Sequence, residues 1–377
     1  MRADTAQLRA RHLAVRRTLD RLRLDAFVTV HPANVFYLTN LAASAAALVM
    51  TPRELYLLSD FRYSAAVHRL LASSEAPPDT TFRLVEASYD EAVVDLVAAC
   101  GPGRYGFESA RVPVKQHAYW QRELAHRGPQ VEWRATEDLV EQLRAIKDPF
   151  EVSLMTEAAA RLSAVARDIL ASLPLAGRTE LDVAADIDWR LKRAGFERTA
   201  FDTIVATGRH SAFPHAHPTE AVVSEGDLVL LDFGGVFHGY CVDLTRTTVV
   251  GTPTAEQQRI YRAVHDAQRA ALACVQAGTS AWDVDAAARE SLGRAGLADA
   301  FGHSTGHGLG LDIHEDPRLG RPRSGLEPPI LAPGMVCTIE PGAYVPDIGG
   351  VRLEDDVLVT SGGAVRLTDV PYDDRLM

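Results

Sequence analysis

The chain has 377 residues, more than one hydrophobic core usually organises, so we expect two domains. An apolar fraction of 47% and a charged fraction of 24% exclude a largely disordered chain. The net charge of -11 argues against a nucleic acid as the main partner, because a phosphate backbone attracts basic surfaces.

The cysteines and the N-terminus indicate a cytoplasmic protein. The four cysteines, Cys100, Cys241, Cys274 and Cys337, lack the short spacings of a zinc knuckle or a redox dithiol. A disulfide framework is therefore not expected, and a reducing compartment fits best. The first residues lack the apolar stretch of a signal peptide, and no apolar run is long enough for a membrane span.

The first 147 residues alternate between helix and strand signals. Leu8, Val15 and Leu19 fall at helical spacing and predict an opening amphipathic helix. The predicted elements after that helix are a strand over 25–30, a hairpin of 46–50 and 54–58, a strand over 103–107 and a helix over 114–127. This alternation predicts an α/β domain.

A helix-start signature marks the domain boundary. The segment 136–147 is amphipathic and is predicted to be helical. Asp148 as N-cap, Pro149 at the first helical position and Glu151 in the first turn then start a new helix. We therefore predict one domain over 1–147 and a second over 148–377.

The second domain is expected to combine helices with antiparallel strands. In chain order we predict two Ala-rich helices, strands within 227–250, a helical region over about 255–295 and an antiparallel sheet over 306–367. Most histidines also lie in this domain, and several carboxylates there stand within or directly after apolar strands.

The segment 227–250 places two aspartates on neighbouring strands. An apolar run leads directly into Asp232, and Asp243 lies on the returning strand after a turn predicted at 234–239. A buried carboxylate is costly unless it is paired or bound to a cation. Two interpretations remain open for this segment: a metal site, or an N-cap or ion pair with an arginine such as Arg246.

A cluster of histidines and glycines occupies 302–317. His303, His307 and His314 stand among glycines at 306, 308 and 310, which permit unusual backbone angles and the close approach of a ligand. The segment lacks the His-Glu-x-x-His pattern of helical zinc proteases. For any one histidine alone, a structural role in the core remains the alternative.

Two further carboxylates lie near the C-terminus. Glu340 ends an apolar strand and is followed by Pro341-Gly342, which forces a turn. If 351–354 is a strand, Arg352 and Glu354 share a face. The alternative for Glu354 is a surface residue or an ion-pair partner of Arg352.

The assembled set of four carboxylates and one imidazole predicts two divalent ions. Four neighbouring carboxylates repel one another, so at least one would be protonated unless cations neutralised them. Oxygen-rich ligation with one nitrogen favours Mn²⁺, with Co²⁺ or Zn²⁺ as alternatives. Cys241, two residues before Asp243, is interpreted as core packing.

These motifs resemble those of the pita-bread metallopeptidases, which include methionine aminopeptidase, aminopeptidase P and prolidase. The resemblance lies in five ordered signatures: the strand ending at Asp232, DLTRT with Asp243, GHGLG with His307, IEPG with Glu340 and RLED with Glu354. Residues 33–66 resemble the creatinase-like domain that precedes the catalytic domain in prolidases and aminopeptidases P. The resemblance implies an α/β N-terminal domain followed by an α+β pita-bread catalytic domain.

The resemblance also implies the ligands of each ion. Asp232 and Asp243 would hold one ion, His307 and Glu340 the other, and Asp243 and Glu354 would bridge the two. Glu340 would accept the proton of the attacking water that lies between the ions.

Further residues match positions around the substrate. His215 matches a histidine that faces the substrate, and His314 one that stabilises the tetrahedral intermediate. The remaining matches line the substrate or support the ligands: His303, Tyr344 and Arg352. His210 and His217 match no family role and are interpreted as loop histidines.

The sequence departs from the family at two positions. Asn40 and Ser304 stand where the family usually has glycine. Both are predicted to alter the rim of the substrate pocket.

The implied activity is hydrolysis of the bond before proline in small peptides. A prolidase requires dipeptides, whereas aminopeptidase P accepts longer chains, and the compact chain slightly favours the dipeptidase. Methionine aminopeptidase would not need the N-terminal domain, and creatinase lacks the metal ligands. A metal-free pseudo-peptidase that acts as a binding module is a further alternative. The resemblance also implies a homodimer.

Overall fold

The computed structural model describes residues 2–128 and 130–377. It forms two compact units, the first ending at Arg144 and the second beginning at Ala145. Lys147, which the sequence assigns to the first domain, packs within the second unit, where its backbone N–H donates to the Gly334 carbonyl at 2.8 Å.

The first unit is an α/β layer structure. Its helices are α1 (Thr5–Leu22), α2 (Pro32–Thr39), α3 (Phe61–Leu71), α4 (Tyr89–Cys100), α5 (Val114–Arg127) and the short α6 (Glu141–Ala145). Its strands are β1 (Ala26–Thr29), β2 (Ala47–Met50), β3 (Leu55–Asp60), β4 (Thr80–Val85), β5 (Gly103–Glu108) and β6 (Val131–Thr136). They form one sheet in the order β4-β3-β2-β1-β5-β6. The predicted opening helix, first strand and hairpin are confirmed.

The prediction of a helix over 136–147 is wrong for most of that segment. Thr136 instead ends β6, where it pairs in parallel with Glu108 of β5. Asp138 has a left-handed backbone with φ of 51°, which a continuous helix cannot accommodate. Helix therefore forms only in α6.

Asn40 has a structural role that its departure from the family pattern did not reveal. It caps the C-terminal end of α2 with a left-handed φ of 63°, a conformation that asparagine tolerates better than most residues. Its side-chain amide donates to the Ala3 carbonyl at 2.7 Å and the Glu75 carbonyl at 3.0 Å. The helix cap explains why an asparagine stands at this position. Its predicted effect on the rim of the substrate pocket stays a prediction.

The second unit has four long α-helices, two short 3-10 helices and eleven strands in the part of the chain that is described. The helices are α7 (Pro149–Ser172), α8 (Glu180–Arg193), α9 (Ala255–Cys274) and α10 (Ala281–Arg294). The strands are β7 (Arg198–Thr199), β8 (Ile204–Thr207), β9 (Leu228–Phe237), β10 (Tyr240–Val249), β11 (Gly306–Gly308), β12 (Glu315–Leu319), β13 (Val336–Ile339), β14 (Gly342–Val345), β15 (Gly349–Arg352), β16 (Asp355–Thr360) and β17 (Gly363–Arg366). The capping box at Asp148 and Glu151, which the sequence predicts, starts α7.

Strands β9 and β10 form a long hairpin, and every residue of the two strands is buried. Its turn is the two-residue His238-Gly239, with φ of 48° and 88°. The prediction that Gly234 and Gly235 belong to this turn is wrong, because both lie within β9. A Cβ at Gly235 would overlap the ring of Phe196, so this glycine makes room for packing.

The C-terminal strands confirm the predicted antiparallel sheet. Five of them pair in the order β12-β11-β13-β16-β17, and β14 pairs with β15. Helices α9 and α10 pack over these strands through a core that includes Ile260, Val284 and Ile339. None of the helices in the described ranges is long and apolar enough to cross a membrane.

The first unit should lose stability in mild acid because of His12. This fully buried imidazole donates from Nε2 to the Leu38 carbonyl at 2.7 Å, and burial lowers its pKa to about 4. The unfolded chain therefore binds the proton first, so stability present above pH 6.5 is lost as the pH falls toward 4, by about 3 kcal/mol.

Urea unfolding of wild type and His12→Gln at pH 7 and pH 4 measures this effect. The glutamine can still donate to Leu38 but does not titrate. We expect the wild type to lose more stability than the variant, and equal losses in the two proteins would contradict the assignment.

Candidate metal centre

The register of the long hairpin brings Asp232 and Asp243 onto one face. Asp243 pairs with Gly234, and Asp232 pairs with Thr245, so the two aspartates are diagonal neighbours on adjacent strands. Their exposed fractions are only 8% and 5%. The predicted convergence of the two carboxylates is therefore present.

His307 presents one ring nitrogen to these carboxylates. Its Nδ1 donates to the Gly308 carbonyl at 3.1 Å, which leaves the lone pair of Nε2 free. That Nε2 lies 3.9 Å from an Asp243 oxygen and 3.5 Å from a Glu340 oxygen. Burial lowers the pKa of His307, so the imidazole is neutral at pH 7, as a metal ligand must be.

Glu354 lies in the two-residue link between β15 and β16. The expectation that 351–354 forms one strand is thus only partly met, since β15 ends at Arg352. The side chain of Glu354 accepts a hydrogen bond from Thr245 at 2.6 Å and is 2% exposed. It is neither a surface residue nor the ion-pair partner of Arg352.

The arrangement fits a divalent cation. Ligand atoms of Asp243, His307 and Glu354 all lie within 4.8 Å of one another. One oxygen of Asp232 and one of Asp243 are buried without a hydrogen-bond partner. Buried acceptors of this kind are costly unless a cation or a donor satisfies them.

The protein alone does not balance the charge of the cluster. Burial, followed by the neighbouring carboxylates of Asp232, Asp356 and Glu340, raises the pKa of Asp243 well above its ordinary value. Burial and Asp243 do the same to the pKa of Glu354. Burial raises the pKa of Glu340 to about 7. The positive charge of a bound cation would offset these three shifts, because it favours the ionised carboxylates.

Arg352 supplies the one direct positive partner of the described ligand candidates. It forms an ion pair with Asp232, and its Nη1 donates to the Tyr344 hydroxyl at 2.6 Å. The alternative prediction of an Asp232 or Asp243 pair with Arg246 is wrong, because Arg246 pairs with Asp355 at 2.8 Å. An aspartate–arginine pair does exist at the site, but with Arg352.

The network continues from Arg352 to His303. The Tyr344 hydroxyl lies 2.8 Å from His303 Nε2, and His303 Nδ1 lies 2.8 Å from the Ser304 carbonyl. Burial lowers the pKa of His303 to about 3, so Nδ1 donates to the carbonyl and Nε2 accepts from the tyrosine. His303 thus fixes the orientation of Tyr344.

His215 and His314 lie on exposed loops at the edge of the cluster. The ring of His314 is 4.4 Å from that of His307, centroid to centroid. His215 interacts electrostatically with Glu340, His303 and His314. Both are therefore close to the ligand candidates, on loops that solvent reaches.

The glycines around His307 allow neighbouring strands to pack closely; they do not make room for a ligand. A Cβ at Gly306 would overlap the Thr338 carbonyl, and one at Gly308 would overlap the Asp316 carbonyl. None of these glycines has a positive φ. The prediction of unusual backbone angles and ligand approach is therefore wrong, because the neighbouring strands fill that space.

Sequence reasoning missed two buried carboxylates near the site. Asp356 accepts from the Asp243 N–H at 3.0 Å, and its other oxygen is buried without a partner. Glu180 accepts from His210, which the sequence pattern predicts to be a loop histidine without a specific role. The position of Asp356 two residues after Glu354 was an available signal, whereas nothing local marks Glu180.

Comparisons with known proteins identify the family of this chain. The profile of metallopeptidase family M24 matches residues 153–361, which contain every ligand candidate. The chain belongs to metallopeptidase family M24. The creatinase/prolidase N-terminal domain matches residues 11–146. The expected fold, a creatinase-like α/β domain followed by a pita-bread catalytic domain, is confirmed.

Relatives match this M24 chain over nearly its whole length. An Xaa-Pro dipeptidase of Pyrococcus horikoshii is 33% identical over 353 residues, 93% of this chain and 94% of that protein. The structure of an Xaa-Pro dipeptidase from Bacillus anthracis is 32% identical, with a TM-score of 0.88 over 97% of this chain and 99% of that one. An X-Pro aminopeptidase structure from Thermotoga maritima is 28% identical, with a TM-score of 0.82 over 94% and 99%.

Replacing Gly306 by alanine should disrupt the site through the backbone. The added Cβ overlaps the Thr338 carbonyl, so β11 must move away from its neighbours and take His307 with it. We expect a stability loss of at least about 3 kcal/mol and weaker binding of Mn²⁺.

The matched control is Gly302→Ala in the same segment, where a Cβ meets nothing within 4 Å. Thermal unfolding with and without Mn²⁺ compares the two variants. If both behave like wild type, the close packing of β11 is not what places His307.

Proposed function

We propose that this chain is a dinuclear Xaa-Pro dipeptidase. The observation that carries the proposal is the buried cluster of Asp243, His307 and Glu354, together with the unpartnered oxygens of Asp232 and Asp243. The Pyrococcus and Bacillus relatives, which are named as Xaa-Pro dipeptidases, supply the substrate class.

The proposed ligands form one oxygen-rich set. They are Asp232, Asp243, His307, Glu340 and Glu354. Two divalent ions, with Mn²⁺ as our candidate, suit four carboxylates and one imidazole. Bound there, the ions would lower the pKa of water and so supply a nucleophile near neutral pH.

The side chains around the ligands have distinct proposed tasks. Glu340 is the proposed acceptor for the proton of the attacking water, because its carboxylate lies among the proposed ligands, 3.5 Å from His307 Nε2. His314 lies beside His307 and donates to the oxygen on which charge develops. His215, which interacts electrostatically with Glu340 and His314, holds the substrate.

Arg352, Tyr344 and His303 keep this arrangement rigid. Arg352 holds Asp232, and Tyr344 links Arg352 to the neutral His303. Because the side-chain nitrogens of Arg352 and His303 and the Tyr344 hydroxyl all have hydrogen-bond partners, this network holds the Asp232 carboxylate in place without a substrate.

An aminopeptidase P that accepts longer peptides is the second candidate. The Thermotoga X-Pro aminopeptidase has the same fold over nearly the full chain, so the fold does not favour one activity over the other. We also propose a homodimer in a reducing, cytoplasmic compartment, which suits the free cysteines of the described chain.

Peptide length separates the two candidates. With added Mn²⁺, a dipeptidase should hydrolyse Ala-Pro much faster than Ala-Pro-Ala, because only the dipeptide presents its carboxylate next to the cleaved bond. Release of free alanine from each peptide is the measurement. Faster cleavage of Ala-Pro-Ala would favour the aminopeptidase, and cleavage of neither would exclude both.

His215→Ala should separate substrate handling from metal binding. His215 is not among the proposed ligands, so the variant should bind Mn²⁺ as the wild type does. Its kcat for Ala-Pro should fall about 100-fold or more, as expected when a group that acts on the substrate is lost. A variant that loses its metal instead would contradict the proposed task of His215.

A further inference from the structure

The segment 208–218 forms the histidine loop, which carries His215 and joins β8 to Thr219. Strand β8 pairs with β9 next to Asp232, with Ile204 opposite that aspartate. The loop therefore starts from the strand pair that holds a proposed ligand.

One buried carboxylate joins both ends of the histidine loop. Glu180 is the first residue of α8, and its side chain is 0% exposed. Its Oε1 accepts from the Thr207 N–H at 2.7 Å and from His210 Nδ1 at 2.8 Å. Its Oε2 accepts from the N–H and the hydroxyl of Thr219, at 2.9 and 2.7 Å.

The middle of the histidine loop is held from strand β15. The Gly350 N–H donates to the Ser211 hydroxyl at 2.8 Å, and Arg352 donates to the Pro214 carbonyl at 3.2 Å. Arg352 also pairs with Asp232. The residue before His215 is thus tied to a proposed ligand through one guanidinium, while Glu180 fixes the two loop ends.

The contacts of Glu180 do not serve its own helix. The N-terminus of α8 already has a complete capping box, formed by Thr179 and Asp182. All four donors to the Glu180 carboxylate belong to the histidine loop or to the residues that bound it. Because an ionised carboxylate accepts only, it suits a site with four converging donors, and such bonds are the stronger kind.

We propose that Glu180 is a positioning residue that orders the histidine loop and so sets the place of His215 in the active site. This role rests on the proposed function, in which His215 holds the substrate. Glu180 touches neither the substrate nor the ligand candidates, and acts by closing the loop. His210, which bonds both of its oxygens, is part of the same clamp.

Glu180→Gln tests the clamp at nearly constant volume. The amide nitrogen cannot accept from a donor, so at least one bond to the loop ends is lost and the charge disappears. We expect kcat for Ala-Pro to fall about tenfold or more, while the amount of bound Mn²⁺ stays that of wild type. Asp186→Asn is the matched control, because Asp186 lies on the same helix and pairs with Arg178, away from the loop.

A double-variant cycle separates positioning from general damage. If Glu180 acts through His215, adding Glu180→Gln to His215→Ala should cost less than about twofold more in kcat/KM. If Glu180→Gln merely reduced the amount of folded protein, it would lower kcat/KM by the same factor in wild type and in His215→Ala. The proposal would be overturned if the two losses multiplied in full in the double variant, or if Glu180→Gln alone kept the kcat of wild type.

Hydrogen exchange keeps the test independent of the substrate assignment. If wild type cleaves no Xaa-Pro peptide, the proposed function fails, but peptides covering 208–219 still report loop order. Faster exchange there in Glu180→Gln than in wild type and Asp186→Asn supports the clamp. Equal exchange in all three proteins overturns it.

Discussion

Mutual repulsion among buried carboxylates is the constraint on which the second unit depends. Asp243 and Glu354 are almost fully buried, and the pKa of each is raised by burial and by neighbouring acids. Among the described ligand candidates, Arg352 forms an ion pair with Asp232 only, and its single charge cannot balance all of these carboxylates. Such a cluster lowers the stability of the metal-free fold. Cations that bind the folded chain would restore that stability.

Backbone geometry brings the residues of this cluster together, and side-chain contacts from Arg352 and Thr245 then hold Asp232 and Glu354. The hairpin register places the two aspartates on one face. Glycines on β11 let β12 and β13 approach closely on either side, and β11 then presents His307 to the aspartates. Around that rigid centre, exposed loops carry His215 and His314. The loop of His215 is tied at its ends by Glu180 and at its middle by Arg352. Rigid ligands and anchored loops together give a preorganised site.

Much of this arrangement could be predicted from the sequence, because carboxylates within or directly after apolar strands are a local signal. The strands that hold Asp232 and precede Glu340, and the helix start at Asp148, all follow from neighbouring residues. The sequence did not reveal why glycine is required at two positions in the second unit. Gly235 makes room for Phe196, and Gly306 for the Thr338 carbonyl, and both partners are distant in sequence.

The same limit explains the other differences between prediction and structure. The arginine that pairs with Asp232 is Arg352 and not Arg246, because the choice depends on how β9 packs beside β15. Glu180 lies 27 residues before its first loop partner, Thr207, and no periodic pattern connects them. Tertiary pairing decided these points, whereas local pattern was sufficient to predict most of the elements and the clustering of the buried carboxylates.

The most direct test of a cation-holding role for these carboxylates is to count the metal ions bound to the folded chain. Native mass spectrometry of wild-type protein equilibrated with Mn²⁺ should show two ions per chain, since two divalent cations offset the charge of four carboxylates. One ion would contradict the dinuclear arrangement. A folded chain that binds none would contradict the central claim that the buried carboxylates exist to hold cations.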